Sequence, residues 1–444
     1  MTELSEQLMF PKVEDKARAK ILICTMQYGY GYKQGTEKYV SNLTSGLKSN
    51  GYEVIIAAGD PENIKQENSK SKNNSQDRQV TLPSNGWPEL HGEDVDYYVA
   101  LLQEIRPDIV HMANPAHIGI NLLTAAKQLN IPYFVTATDF WWLCPKHTLT
   151  LKDGSFCQGF ENSSACRHCI LSTHPRKQLQ RLYRQQTIRP LIKGAIKLNA
   201  IARNQPLPDW PGRNQILKTA LDQAEKVICL SKSGKKRIDN FFGLKNTHYL
   251  PTGLSESWFS KPKDHDFNLS QIKIGYLGAI APHKGLHTLL DALDDPELKE
   301  VQLKIAGKTN DSQYANQLLS RELNIDYKGE IGESEAVSFI DSVDLIVIPS
   351  NSPENQPQVL LEASARKKPV VASDSPGCAE LLDETVVFPA NNAASLRSIL
   401  KNFLQNPSSF PLPEKPRSAL DITKETINLY KKATSRHITP TEIT

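Results

Sequence analysis

Strand-like runs, most of them apolar and β-branched, alternate with helical segments along nearly this whole chain, and that alternation dictates its fold class. The runs fall at 20–25, 53–58, 109–111, 133–136, 227–230, 272–277, 302–306, 326–328, 345–348 and 369–372. Helical segments lie between them, at about 95–105, 119–128, 286–293, 313–322 and 358–366, with a last one at about 420–432. After the first run, Val40, Leu43 and Leu47 share one helical face, and Gly51 offers the left-handed residue that ends such a helix. Strands this short and apolar are buried on both sides, which calls for a parallel sheet between helical layers. Residues 257–270 are mostly polar, contain Pro262 and read as a linker, so the rhythm splits into two Rossmann-like units. The expected organisation is α/β: a tail at 1–18, one domain from 19–255 plus 416–444 with an insertion at 140–208, and a second domain at 256–415, with a cleft between them.

The chain of 444 residues carries a formal charge of +3, too little to suggest nucleic-acid binding. No run of 18 apolar residues exists, so no transmembrane helix is expected. The start, MTELSEQLMFPK, lacks the apolar stretch of a signal peptide, which points to a cytoplasmic protein. Residues 61–86 are rich in Asn, Ser, Lys and Gln and read as a surface loop.

Chemistry-bearing residues fall where strands end. In open α/β sheets, ligands bind outside the carboxyl ends of the strands. The stretch 344–374 places Glu354 in the turn after one strand and Glu362 in the helix that follows. A carboxylate at Glu362 suits the two hydroxyl donors of a ribose. Were the intervening residues all helical, the two acids would stand about 12 Å apart, a reach suited to opposite ends of a nucleotide-sugar. Both are equally compatible with solvated glutamates. Gly278 to Lys284-Gly285 joins a strand to a helix, the setting in which backbone N–H groups hold phosphate, with Lys284 adding a charge or standing as a solvated lysine. Gly29, Gly31 and Gly35 form a second glycine-rich loop, one residue too long for a dinucleotide fingerprint, so an oxidoreductase is the weaker reading.

Taken together, these motifs resemble a GT-B glycosyltransferase of family 4, the retaining group that uses sugar nucleotides. The resemblance rests on Gly278 with Lys284-Gly285, on Glu354 and Glu362 ahead of Pro369-Val-Val371, on Gly35-Thr36-Glu37, and on Leu250-Pro-Thr-Gly253. It covers roughly residues 19–432 and implies transfer of a sugar from a nucleoside-diphosphate donor to an acceptor hydroxyl with retention. It implies Lys284, Glu354 and Asp139 as catalytic, and Gly35, Thr36, Gly278, Lys284, Gly285, Glu354, Gln358 and Glu362 as donor-binding, with no catalytic metal. The chain departs from the family at three places: Ala279 follows Gly278 where an arginine is usual, Thr138 precedes Asp139 in place of a histidine, and Lys367 replaces a glycine. A nucleotide-sugar-binding pseudoenzyme is the alternative those changes raise.

Two further features stand apart. Cys144, Cys157, Cys166 and Cys169 cluster, the last two as Cys-x-x-Cys, and four thiolates suit structural zinc or an iron–sulfur cluster. His147 and His168 are substitute ligands; reduced thiols or a pair of disulfides are the other readings. Similar insertions in the family imply a lid near the acceptor site. Residues 162–208 hold nine basic side chains and no acid, interleaved with Leu and Ile. Such a face suits an anionic membrane surface, an anionic acceptor such as a lipid-linked phosphate, or a solvated exterior. The acceptor class, whether glycan, lipid-linked sugar or small molecule, stays open at this point.

Overall fold

The structure, a computed structural model, describes residues 18–29, 34–59, 78–83, 90–151, 156–157, 166, 169, 210–261, 267–268, 271–309 and 311–437. It holds two parallel sheets. The first contains β1 (Arg18–Thr25), β2 (Tyr52–Gly59), β3 (Arg78–Leu82), β4 (Ile109–Met112), β5 (Tyr133–Ala137), β6 (Lys226–Cys229) and β7 (Thr247–Tyr249), in the order β3-β2-β1-β4-β5-β6-β7. The second contains β8 (Lys273–Leu277), β9 (Gln302–Ala306), β10 (Ile325–Tyr327), β11 (Leu345–Ile348), β12 (Val370–Ser373) and β13 (Val387–Phe388), in the order β10-β9-β8-β11-β12-β13. The expected α/β class with two doubly wound sheets is what the chain adopts.

Each sheet is buried by helices on both faces, as its apolar strands demand. In the first, Leu22, Ile55, Val110 and Val135 face one core while Ile21, Ile23, Ile56 and Phe134 face the other. The helix Gly35–Ser49 and the final helix Ala419–His437 pack together on that second face, where Tyr430 meets His111 and Phe134. At Gly46 the two helices come so close that a Cβ would lie 2.2 Å from Thr423 Oγ1.

Strand order reverses between β1 and β4 in the first sheet and between β8 and β11 in the second. At such a switch point, adjacent chains depart to opposite faces and leave a crevice beyond the strand ends. Both acids of the 344–374 segment and the Gly278 loop lie at the second switch point.

Several expectations need correction. Arg78–Leu82, expected as part of a loop, is an edge strand paired in parallel with β2, and Leu82 anchors it in the core. Residues 256–259 are not a bare linker: Glu256–Phe259 forms a 3-10 turn whose Trp258 is buried in the same core cluster as Ile346, Phe339 and Leu361. A single large apolar side chain overrode the polar composition around it. The short strands β7 and β13 carry little local signal, whereas the helices Lys232–Phe242, Glu333–Asp341 and Ala393–Gln405 are not among the expected elements, although capping residues at Ser231 and Asn392 mark the starts of two of them. The predicted tail up to residue 17, most of the basic segment and Gly31 lie outside the described residues, while Arg18 of that tail opens β1, and no described helix is long and apolar enough to cross a membrane.

Candidate active site

The second sheet's switch point is built from two touching loops. The chain leaving β8 turns through Pro282–Lys284 to Gly285, which has φ +70°. A Cβ on Gly285 would lie 1.8 Å from the Pro349 carbonyl oxygen, so only glycine lets this loop press against the one leaving β11. Asn351 N donates to the His283 carbonyl at 2.9 Å and locks the two loops together. This contact delivers Lys284 to Glu354: Nζ donates to Oε1 at 2.7 Å, and Ser350 Oγ donates to the same oxygen at 2.6 Å. Burial works against both charges, but mutual attraction outweighs it, holding the Glu354 carboxyl below and the Lys284 amine above their usual ranges. Lys284 and Glu354 therefore form one charged pair.

Glu362 lies in the helix Gln358–Ala365, almost fully buried. Because that helix begins only at Gln358, Glu354 sits in the turn before it, and the all-helical separation expected above does not apply. Glu362 Oε1 instead accepts from Lys38 Nζ at 2.6 Å, a lysine on the first sheet's helix Gly35–Ser49. Lys38 was missed, although it stands one residue beyond the Gly35-Thr36-Glu37 motif. Gly35 itself faces Gln358, whose Cγ would be 3.9 Å from a Cβ at that glycine. Lys38, Asn42, Ser255, Trp258, Gln358 and Glu362 line a small cavity between the two sheets.

Other bonds join the two halves. Asn355 Nδ2 donates to the carbonyls of Ala137 and Thr138 at 2.7 and 3.2 Å, and its Oδ1 accepts from Ser231 Oγ at 2.8 Å. Glu380 accepts from the backbone N–H groups of Lys232 and Ser233 at 2.9 and 2.7 Å. A carboxylate there complements the positive end of the helix Lys232–Phe242.

Across the cleft, side chains converge beyond β1, β4 and β5. Thr36 Oγ1 donates to Thr138 Oγ1, which donates to the Ala113 carbonyl, each at 3.0 Å. Gln27 Nε2 donates to Glu37 Oε1 at 2.7 Å, and burial pushes the Glu37 carboxyl up. Asp139 accepts from Asn114 Nδ2 at 2.9 Å, His147 Nδ1 at 2.8 Å and Trp141 N at 2.8 Å. Burial opposes its charge, but His147 and these hydrogen bonds hold it low.

The departures also find physical settings. Lys367 has φ +54°, a left-handed position just after a helix, where glycine would be less strained. Ala279 contributes its carbonyl to Tyr276 Oη at 2.8 Å, which leaves Lys284 as the cation of that loop.

The expected metal centre is not supported. Cys144, Cys157, Cys166 and Cys169 form no disulfide, and no described group of three or more His, Cys, Asp or Glu residues is arranged to hold a metal ion. His147 is turned to Asp139 and Lys146 Nζ donates to Cys169 Sγ at 3.4 Å, so a cation already faces the thiols. Burial and the neighbouring thiols push Cys166 up to about 12. His168 lies outside the described residues.

Comparison with known proteins gives the family. The family described as Glycosyl transferases group 1 matches residues 259–420, and Glycosyltransferase Family 4 matches residues 33–170. The phosphatidyl-myo-inositol mannosyltransferase of Mycobacterium leprae is 33% identical over 166 residues, 35% of this chain and 44% of that protein. The chain spans about half the length of the curated relatives it matches. Among solved structures, sucrose-phosphate synthase from Thermosynechococcus elongatus superposes with TM-score 0.62 at 16% identity, covering 94% of this chain and 100% of that one. Anabaena HepE, in complex with UDP-glucose, superposes with TM-score 0.58 at 14% identity, covering 94% and 99%. Two family matches that together span most of the chain, two doubly wound sheets, and loops meeting at their switch points lead to one conclusion: this chain belongs to the group 1 glycosyltransferases of the GT-B fold.

Proposed function

We propose that the protein transfers a sugar from a nucleoside-diphosphate-sugar to an acceptor hydroxyl with retention of configuration. The observation that carries this reading is the Lys284–Glu354 pair at the β8/β11 switch point, with the buried Glu362 one helix turn into the same segment. Lys284 is the mobile cation that takes up charge on the departing diphosphate, an electrostatic task worth orders of magnitude in rate. Glu362 receives the ribose hydroxyls, and Lys38, which holds that carboxylate here, yields it. Glu354 lies toward the transferred sugar, and Gly35, Thr36, Gly278, Gly285 and Gln358 surround the donor. Asp139 acts from the acceptor side.

UDP-sugars are the first donors to try, because HepE was solved with UDP-glucose. A thermal-shift screen against UDP-, GDP- and ADP-sugars tests the site. A ligand at a hundredfold its Kd stabilises by about 2.7 kcal/mol. Glu362→Ala should remove the shift seen with the preferred base, and the same shift in wild type and variant would overturn the assignment. Proton NMR of the product's anomeric centre then decides retention.

The acceptor reading that the basic segment 162–208 favours is a lipid-linked one at an anionic membrane face, with the protein cytoplasmic and peripheral. The M. leprae relative's name points the same way. Co-sedimentation with phosphatidylglycerol vesicles at low and high salt tests it; no binding at low salt would sink it.

A further inference from the structure

Glu354, Asn355 and Gln356 are consecutive, yet they serve different parts of the molecule. Glu354 turns to Lys284 of its own domain. Its two successors turn to the other domain: Asn355 Nδ2 donates to the carbonyls of Ala137 and Thr138, and Gln356 Oε1 accepts from Thr252 N at 2.6 Å. The bonds of Asn355 end beside the chemistry. Ala137 is the last residue of β5, and Asp139 comes two positions later. The loop at 354–355 thus has the donor pair on one side and the peptide leading to Asp139 on the other.

Both ends of this tie are fixed in their own domains. In the second, Glu354 N donates to Ser375 Oγ at 2.6 Å, and the Glu354 carbonyl accepts from Gly377 N at 3.0 Å. A Cβ on Gly377 would lie 2.3 Å from the carbonyl oxygens of both Glu354 and Asn355, so the loop lies directly against that glycine. In the first, Thr138 Oγ1 is held between Thr36 Oγ1 and the Ala113 carbonyl, and Asp139 by Asn114, His147 and Trp141 N. Asn355 is buried, and both polar atoms of its side chain are used. Two carbonyls require a donor, so the amide nitrogen faces β5, and Oδ1 is left to accept from Ser231 Oγ. Ser231 Oγ accepts in turn from Gly234 N at 2.9 Å, as the cap of the helix Lys232–Phe242. A Cβ on Gly234 would lie 2.7 Å from Asn355 Oδ1, so that helix also makes room for the amide. A short side chain bonded at three points tolerates little change in the spacing it spans.

We propose that Asn355 is an interdomain positioning residue: it fixes the spacing between the Lys284–Glu354 pair and Asp139, so that groups from both domains meet at one bound donor. It acts through Glu354, its neighbour in sequence, and through the Ala137–Thr138 peptide. Glu380 also joins the domains, but its partners are the N–H groups of Lys232 and Ser233, not the peptide that leads to Asp139. The role of Asn355 depends on the donor lying at Lys284 and Glu354, as proposed above.

Water can stand in for the unidentified acceptor, so the test is glucose release by the full chain from UDP-, GDP- and ADP-glucose, with calorimetric binding of the matching nucleoside diphosphate. Asn355→Ala should lower kcat with the preferred donor on the order of 100-fold, the cost of misplacing reacting groups by about 1 Å, while KM and nucleotide affinity stay within about threefold. Asn355→Asp keeps the acceptor for Ser231 and loses both bonds to β5, so it should match the alanine variant. Glu380→Ala breaks a different bond between the domains and should keep kcat near wild type. Melting curves show which variants fold, and either Asn355 variant suffices. Equal losses of kcat in Asn355→Ala and Glu380→Ala would reveal a general clasp and overturn the proposal. Wild-type kcat in Asn355→Ala, or a loss of nucleotide affinity that accounts for the whole fall in rate, would overturn it too. A wild-type chain that binds no nucleoside diphosphate, or binds it and releases no glucose, would refute the transfer reading itself, and the role of Asn355 with it.

Discussion

Replacing Lys284 by methionine keeps the stem of the side chain and removes its charge, so it isolates the pair with Glu354. The Glu354 side chain is 15% exposed and that of Lys284 32% exposed. Breaking a buried pair from one side costs about 3–5 kcal/mol, because the surviving charge is stranded away from water. Ser350 still donates to Glu354 Oε1, which places the expected loss near the lower end, about 3 kcal/mol. For a domain of this size that is a drop in melting temperature of roughly 6–12 °C. Adding Glu354→Gln should recover most of it, since a neutral amide needs no counter-charge and can keep the Ser350 bond. The pH dependence has a definite sign. Glu354 is held below its ordinary value of 4.5, so the pair contributes fully above that value and fades as pH falls through the lowered one. The deficit of the single variant should therefore be full at neutral pH and shrink in acid. Melting curves of the wild type, both single variants and the double variant measure the coupling. A single-variant loss below about 1 kcal/mol, the level of an exposed ion pair, with no recovery in the double variant, would refute the reasoning. Sugar transfer by Lys284→Met should fall by about 10²–10³, the loss expected for one electrostatic contact to a developing charge.

Gly285→Ala should destabilise by more than the roughly 1–2 kcal/mol of a left-handed non-glycine residue, because the new Cβ would also meet the Pro349 carbonyl. Urea unfolding measures it, and wild-type stability together with wild-type nucleotide binding would count against the loop geometry. His111 bonds Tyr430 Oη and Thr136 Oγ1 in the core, and burial lowers it from 6.5 to about 3. Below 6.5 the unfolded chain takes up a proton that the folded chain refuses, so stability falls with pH, by about 2 kcal/mol between pH 6.5 and 5. His111→Gln should lack that part of the slope; parallel pH profiles of wild type and variant would show that the histidine does not act in this way.

The sequence was most legible where one residue's chemistry and its local pattern agreed. Apolar runs such as 345–348 and 272–277 are short, rich in Ile, Leu and Val, and bounded by turn residues, and they form central strands of the second sheet. The Glu354, Glu362 and Gly278–Gly285 motifs stood at strand ends, and ends of parallel strands are where ligands go. Legibility failed where long-range packing decides. Trp258 converted a polar stretch into part of a core, and β2 recruited Arg78–Leu82 as an edge that has little pattern of its own. The cysteine spacing suggested a metal, but the folded chain turns His147 to Asp139 and brings Lys146 to Cys169.

By itself, then, the sequence determined the α/β class and the two sheets, and it marked candidate residues at strand ends, because hydrophobic periodicity and side-chain chemistry are local properties. Only the tertiary structure decided who meets whom. Lys284 with Glu354 spans 70 positions of sequence, Lys38 with Glu362 spans 324, and Asn355 with Ala137 spans 218. Those pairings follow from the order of strands at two switch points and from the closeness of two domains. Strand order and domain approach are set by how whole layers pack, and no window of sequence contains them.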